Sequence, residues 1–213
     1  AAGRTLGDLA FAARCADGRM ARVSKVGSHG FEWTNPKRDE RYEAWQQRRG
    51  WRARSELHGC ACVGGGAAVI AAYLPIRSEL SPLPLIEALA ADGFATAMPV
   101  TPEPGNPLLF RAWAPGAPLA DGPYNTKQPP SDAAEMIPSV ILAPMLAFDS
   151  SCWRLGYGGG FYDRTLSGLR AAGHHVVALG IAYDGQLVDI LPTGPYDMRL
   201  DGVLTPSGLR SAV

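Results

Sequence analysis

The sequence predicts an α/β fold of three layers, α/β/α, around a largely parallel central sheet, with an atypical N-terminal arm. Three observations carry this. From residue 67 onward, short apolar runs alternate with segments of helical spacing. The runs are apolar at nearly every position, as in strands covered on both faces. Serine, proline and glycine stand where helices would start and stop. Residues 1–66 lack this order, so the expected division is an arm over 1–66 and an α/β domain over 67–213.

In the arm, residues 36–49 (PKRDERYEAWQQRR) form the best helix, with Asn35 as cap, Pro36 in the first position and Gly50 at the end. Tyr42 and Trp45 give that helix a thin apolar face. The main domain opens with an expected strand at residues 67–74 (AAVIAAYL), closed by Pro75. A helix follows over 81–91, capped by Ser81, with Leu85 and Leu89 on one face. Strands are expected at 94–100 and 108–113, then a connection over 114–138 rich in Pro, Gly and Asp. Loops of such length in compact domains are usually functional or disordered. A buried strand at 139–142 leads to a helix at 161–172, where Tyr162, Leu166 and Leu169 share a face. Strands at 176–181 and 202–205 complete the pattern.

Composition narrows the function. Of the 213 residues 46% are hydrophobic and 19% charged, and twenty basic residues balance twenty acidic ones. A neutral, soluble chain of this kind does not bind nucleic acid by its field. No apolar run approaches the ~20 residues of a membrane span. Four scattered cysteines do not make a disulfide scaffold. The first twenty residues lack the order of a signal peptide. The expectation is a cytoplasmic monomer.

The most informative segment is RLGYGGGFYD, residues 154–163. Four glycines, Gly156, Gly158, Gly159 and Gly160, let a backbone approach a ligand closely just before a helix start. Helix amides and the helix dipole there favour an anion such as phosphate. Arg154 adds a forked donor, and Asp163 is a hard oxygen ligand suited to Mg²⁺. The segment is neither the dinucleotide fingerprint, which would need glycine at 161, nor a Walker loop. Its plain alternative is a glycine-rich turn required for packing. Asp197 and Asp201, four apart in LPTGPYDMRLD, are further carboxylates, or else solvated turn residues. Glu79, in YLPIRSE just past the first strand, lies where open α/β sheets gather ligands, or else pairs with Arg77.

Together these segments resemble the 5-formyltetrahydrofolate cyclo-ligase family, also called methenyltetrahydrofolate synthetases. PMLAFD and RLGYGGGFYDR at 144–164 are similar to its signature, and YLPIRSE, NTKQP, GIAYDGQLVDILP and YDMRLDGVLT follow the family order. The resemblance implies ATP- and Mg²⁺-dependent conversion of 5-formyltetrahydrofolate to 5,10-methenyltetrahydrofolate, with ADP and phosphate released. The formyl oxygen would be phosphorylated and the ring then closed. It implies that Arg154 and Tyr162 are catalytic. Arg154, Gly156, Tyr157, Gly158, Gly159, Gly160, Phe161 and Tyr162 would bind the nucleotide. Asp163 and Asp197 would hold Mg²⁺. Glu79 and Tyr162 would hydrogen-bond the pterin, with Leu74, Tyr124 and Trp113 as walls. Family members carry a basic pair for ATP in an N-terminal helix, and Lys37 and Arg41 have that spacing.

A different class stays open: a nucleotide- or folate-binding protein of the same fold without turnover, in which the atypical arm has lost phosphate contacts. A sugar-phosphate or acyl-CoA enzyme lacks a matching catalytic motif. His58, Cys60 and Cys62 are spaced more tightly than a usual zinc site, and a fourth ligand would have to come from Cys15, His29 or elsewhere; reduced, partly buried thiols are the plainer reading.

Overall fold

The computed structural model describes residues 11–14, 20–25, 31–34, 68–76 and 79–211. The helix expected at 36–49, with Lys37 and Arg41, lies outside the described residues, as do Arg77 and the cluster of His58, Cys60 and Cys62.

The described parts of the arm are strands. β1 (Phe11–Arg14), β2 (Met20–Lys25) and β3 (Phe31–Thr34) form an antiparallel three-stranded sheet. Its register sets positions 11, 23 and 33 in one row. FEWT in β3 and ARVS within β2 alternate apolar and polar residues, and four residues are too few to stand out as a period-two signal.

The main sheet has seven strands. In chain order these are β4 (Val69–Ala71), β5 (Ala95–Val100), β6 (Leu109–Ala112), β9 (Val140–Ala143), β12 (Val177–Ile181), β13 (Gly202–Thr205) and β14 (Gly208–Ser211). Across the sheet they run β14-β13-β12-β9-β4-β5-β6. The five inner strands are parallel, and β6 and β14 close the edges in the antiparallel sense. The intervening pairs β7 (Ala120–Asp121) with β8 (Lys127–Gln128), and β10 (Ala147–Phe148) with β11 (Arg154–Leu155), are small hairpins.

Helices α1 (Leu83–Ala91) and α2 (Phe161–Ala171) cover opposite faces. Leu85, Ile86 and Leu89 of α1 pack on Ile70, Met98, Leu142 and Ile181. Leu166 of α2 packs on Ala71, Ala97, Ile141 and Ala178. Strand residues therefore alternate between a bulky face and a face of mostly small residues, as the pleat requires. These are the three layers expected from sequence. Leu166 is fully buried. Leu166→Ala is expected to destabilise the fold by about 2–5 kcal/mol through lost burial and a residual cavity, read as a lower urea midpoint at unchanged slope.

Local differences have simple causes. β4 ends at Ala71, because the chain then turns so that the Tyr73 hydroxyl donates to the Leu80 carbonyl. α1 starts at Leu83 with Pro82 as cap, while Ser81 Oγ accepts the Leu83 amide at 3.4 Å. Prolines without N–H groups suit those first positions. The long connection holds β7, β8 and a short 3₁₀ turn, and the last strand β14 joins β13 through a tight turn.

One consequence matters for function. β4 is followed by β5 on one side, whereas β9 is followed by β12 on the other. The chain thus changes direction between β4 and β9, and the crevice outside the carboxyl ends at such a point is the usual ligand position in open α/β sheets.

Candidate active site

The segment after β9 builds one wall of that crevice. β10 and β11 pair so that Phe148 stands opposite Arg154. The glycine stretch then leads into α2, whose cap residue is Gly160. Gly158 has φ 90° and Gly160 φ 63°, conformations that side chains other than glycine rarely adopt. A Cβ on Gly159 would come within 2.9 Å of the Phe161 ring. That ring lies under the Arg164 guanidinium, 5.4 Å from its centroid. The loop thus presents backbone to its surroundings. No side chain caps α2, which leaves the positive end of the helix for an anion.

Arg154 stands beside this loop. Its side chain is 6% exposed, and Nη2 donates to Asp163 Oδ1 at 2.8 Å. The guanidinium also lies 5.8 Å from the centre of the Tyr162 ring. Its Nε is buried and has no partner. A buried N–H left unpaired costs about 1–3 kcal/mol, so this donor suits an anionic oxygen.

Asp163 Oδ1 accepts a second bond, from the Met198 amide at 3.0 Å. That bond brings the exposed turn at Asp197 to the start of α2. Asp197 Oδ2 accepts the Gly194 amide at 2.7 Å. Asp201 belongs elsewhere: its carboxylate accepts from Arg170 at 2.9 Å and from the Ala178 amide at 2.7 Å, at the far end of α2. It does not join Asp163. Among the described residues no three His, Cys, Asp or Glu side chains gather into a metal cage. Mg²⁺ asks for less than such a cage, since it keeps waters and is usually held by one or two carboxylates together with phosphate oxygens.

The other wall comes from the carboxyl end of β4. Glu79 closes a turn on Ile76, whose amide donates to Oε2 at 2.8 Å while its carbonyl accepts the Glu79 amide at 3.2 Å. Burial pushes the Glu79 carboxyl up to about 7, against the stabilising Ile76 N–H. Burial also raises the Tyr162 hydroxyl, and the charge of Glu79 adds to this while Arg154 opposes it. Tyr73 is raised by burial first, then by Glu79, Tyr162, Tyr183 and Tyr157. Tyr162 is therefore the bridge: it meets Arg154 on the anion side and the field of Glu79 on the other.

The remaining expected residues surround this wall. Leu74 packs at the edge of the core cluster that holds Tyr73, Leu80 and Trp113. Trp113 is buried, its indole N–H donating to the Ala117 carbonyl at 3.2 Å, so it backs the wall from inside. Tyr124, 67% exposed, sits in the turn between β7 and β8. It and Asn125 both have left-handed φ, 58° and 59°, and strain of this kind clusters at ligand clamps. Sequence reasoning missed Tyr73 and Tyr183. Both are buried in the core cluster behind this wall, and the Tyr73 hydroxyl donates to the Leu80 carbonyl.

Comparison with known proteins gives the family and the fold. Residues 63–206 match the model of the 5-formyltetrahydrofolate cyclo-ligase family. The chain is 36% identical over 146 residues to the 5-formyltetrahydrofolate cyclo-ligase of Escherichia coli (strain K12), covering 66% of this chain and 79% of that one. It is 33% identical over 170 residues to the cyclo-ligase of Mycolicibacterium smegmatis, covering 74% of this chain and 79% of the relative. A solved 5,10-methenyltetrahydrofolate synthetase from Mycoplasma pneumoniae shares the fold, with a TM-score of 0.58 at 21% identity, over 79% of this chain and 88% of that one. The chain therefore belongs to the 5-formyltetrahydrofolate cyclo-ligase family, as one of its enzymes.

Proposed function

We propose that the protein converts 5-formyltetrahydrofolate to 5,10-methenyltetrahydrofolate with consumption of ATP and release of ADP and phosphate. One observation carries this reading beyond family membership: a backbone-lined anion loop and a buried arginine with a free Nε share one residue, Tyr162, with a carboxylate wall suited to a pterin.

The chemistry asked of the site is modest. An amide oxygen is a poor leaving group. Its attack on the γ-phosphorus breaks the bond to ADP and makes it a good one. The folate nitrogen at position 10 then attacks the formyl carbon and loses its proton, and phosphate leaves with the former formyl oxygen. Such transfer depends on alignment and on neutralising charge. Gly156, Tyr157, Gly158, Gly159, Gly160 and Phe161 offer backbone to the phosphates, and Arg154 supplies the forked cation. Asp163 and Asp197 would hold Mg²⁺, which when bound neutralises phosphate charge. Glu79 accepts from pterin N–H groups, and Tyr162 orients the formyl group. Leu74, Trp113 and Tyr124 confine the pterin. Lys37 and Arg41 remain candidates for further phosphate contacts. The same reading makes the protein a cytoplasmic monomer whose partners are two small substrates.

The test is direct. Purified protein with 5-formyltetrahydrofolate, ATP and Mg²⁺ is expected to develop the methenyl chromophore, and to stay colourless when ATP is omitted. Calorimetric binding of both substrates without colour would overturn the catalytic reading.

A further inference from the structure

We infer that Asp149 is a positioning residue that sets the nucleotide side of the site, through main-chain contacts to the two segments that meet at Asp163. The inference rests on the proposed function. Asp149 is 4% exposed. Its carboxylate accepts three main-chain N–H groups. Oδ1 takes those of Ser151 at 3.0 Å and Trp153 at 3.1 Å, and Oδ2 takes that of Leu191 at 3.3 Å. The Asp149 backbone also closes the same turn, its amide donating to the Trp153 carbonyl at 3.1 Å and its carbonyl accepting from Cys152 at 3.0 Å.

The two oxygens serve two different stretches of chain. Ser151 and Trp153 lie in the turn that delivers Arg154, the next residue. Leu191 opens the stretch that runs to Met198. Those two stretches meet again at Asp163 Oδ1, which accepts from Arg154 Nη2 at 2.8 Å and from the Met198 amide at 3.0 Å. The pair of segments is thus clamped at both ends, by Asp149 and by Asp163. Asp149 touches no residue assigned to the pterin wall through these bonds. Loss of its clamp should shift Arg154 and the Asp197 turn while leaving Glu79, Tyr73 and Leu80 in place.

A carboxylate suits this post because every group facing it is a donor. Asparagine has nearly the same shape, but its NH₂ must face an N–H, either that of Leu191 or those of Ser151 and Trp153. Asp149→Asn is therefore the sharp variant. Its ATP KM and ATP dissociation constant are expected to rise about tenfold, with the 5-formyltetrahydrofolate dissociation constant changed less than about twofold. Asp149→Glu, which keeps an acceptor-only group, should recover part of the ATP affinity. Equal weakening for both substrates, or none for either, would overturn the inference. Should the Asn variant fail to fold, the same comparison on Asp149→Glu decides, by an ATP-selective loss or by a parallel one. Failure of the cyclo-ligase reading is separate: wild-type protein would give no chromophore, while the split in binding could still be measured by calorimetry.

Discussion

Arg154→Ala is expected to lower kcat/KM for ATP by about 10²–10³, as removal of a preorganised donor to a transferring group does elsewhere. The side chain does three things at once. It holds Asp163, stands against Tyr162, and keeps one N–H buried and unpaired. The orphaned donor is the important part, since a fold selected for stability alone would satisfy or expose it. Removing the guanidinium also leaves Asp163 Oδ1 with only the Met198 amide among these two donors. Loss of one partner of a buried pair is destabilising, so the melting temperature should fall together with activity. Arg154→Lys separates the two effects. A lysine keeps the charge beside Asp163 and with it most of the stability, but it cannot present a planar fork to phosphate. Its activity is expected to remain well below wild type at near-normal melting temperature. Initial rates of methenyl formation over an ATP titration check this. If the alanine variant kept its ATP KM and lost folate affinity, Arg154 would belong to the pterin side.

The sheet was legible because burial on both faces writes itself into composition. The cores of β9, β12 and β13 (VILA, VALGI and GVLT) have few alternatives once flanked by turns. The glycine loop was legible for a similar reason: four glycines before a helix answer a local demand, visible at Gly158 and Gly160 as left-handed φ. What escaped depends on distance in sequence. β10 and β11 are two residues each and exist because they pair with one another. Tyr73 acquires its place from Leu80 and from Glu79, Tyr162 and Tyr183 around it. Asp149 reads as a turn aspartate until Leu191, 42 positions away, arrives at its second oxygen. Asp201 shows the converse. Four residues from Asp197, it reads either as a second carboxylate for a shared cation or as a solvated turn residue, and the chain between them runs to the opposite end of α2 and delivers it to Arg170. Local spacing in a turn-rich stretch carries no such information.

Glu79→Gln should uncouple activity and stability in opposite directions, and pH tells the two apart. Burial holds the folded-state carboxyl near 7, against its ordinary 4.5. Below the ordinary value both folded and unfolded chains carry the proton. As pH rises from there towards 7 the unfolded chain ionises first, so the folded state binds more protons and loses stability relative to it. Above 7 the whole penalty of the buried charge is present. Glutamine has no such penalty, so the variant should melt above wild type at pH 8 and level with it near pH 4.5. Activity should run the other way. The ionised carboxylate is the form that accepts pterin N–H groups, so wild-type kcat/KM for 5-formyltetrahydrofolate should climb with pH through about 7. In the variant that step should vanish, and the plateau should drop about 10–10²-fold, the worth of a charged hydrogen bond. ATP affinity should hold, since the glycine loop and Arg154 stand on the other wall. A variant that lost stability at pH 8 would show that Glu79 is a structural anchor for the Ile76 turn. A variant that kept the pH step would assign the titration to another group. Gain in melting temperature with loss of folate turnover is the signature of a charge buried for its ligand, because among the described residues the Ile76 N–H donates to this carboxylate and a bound pterin would add further donors.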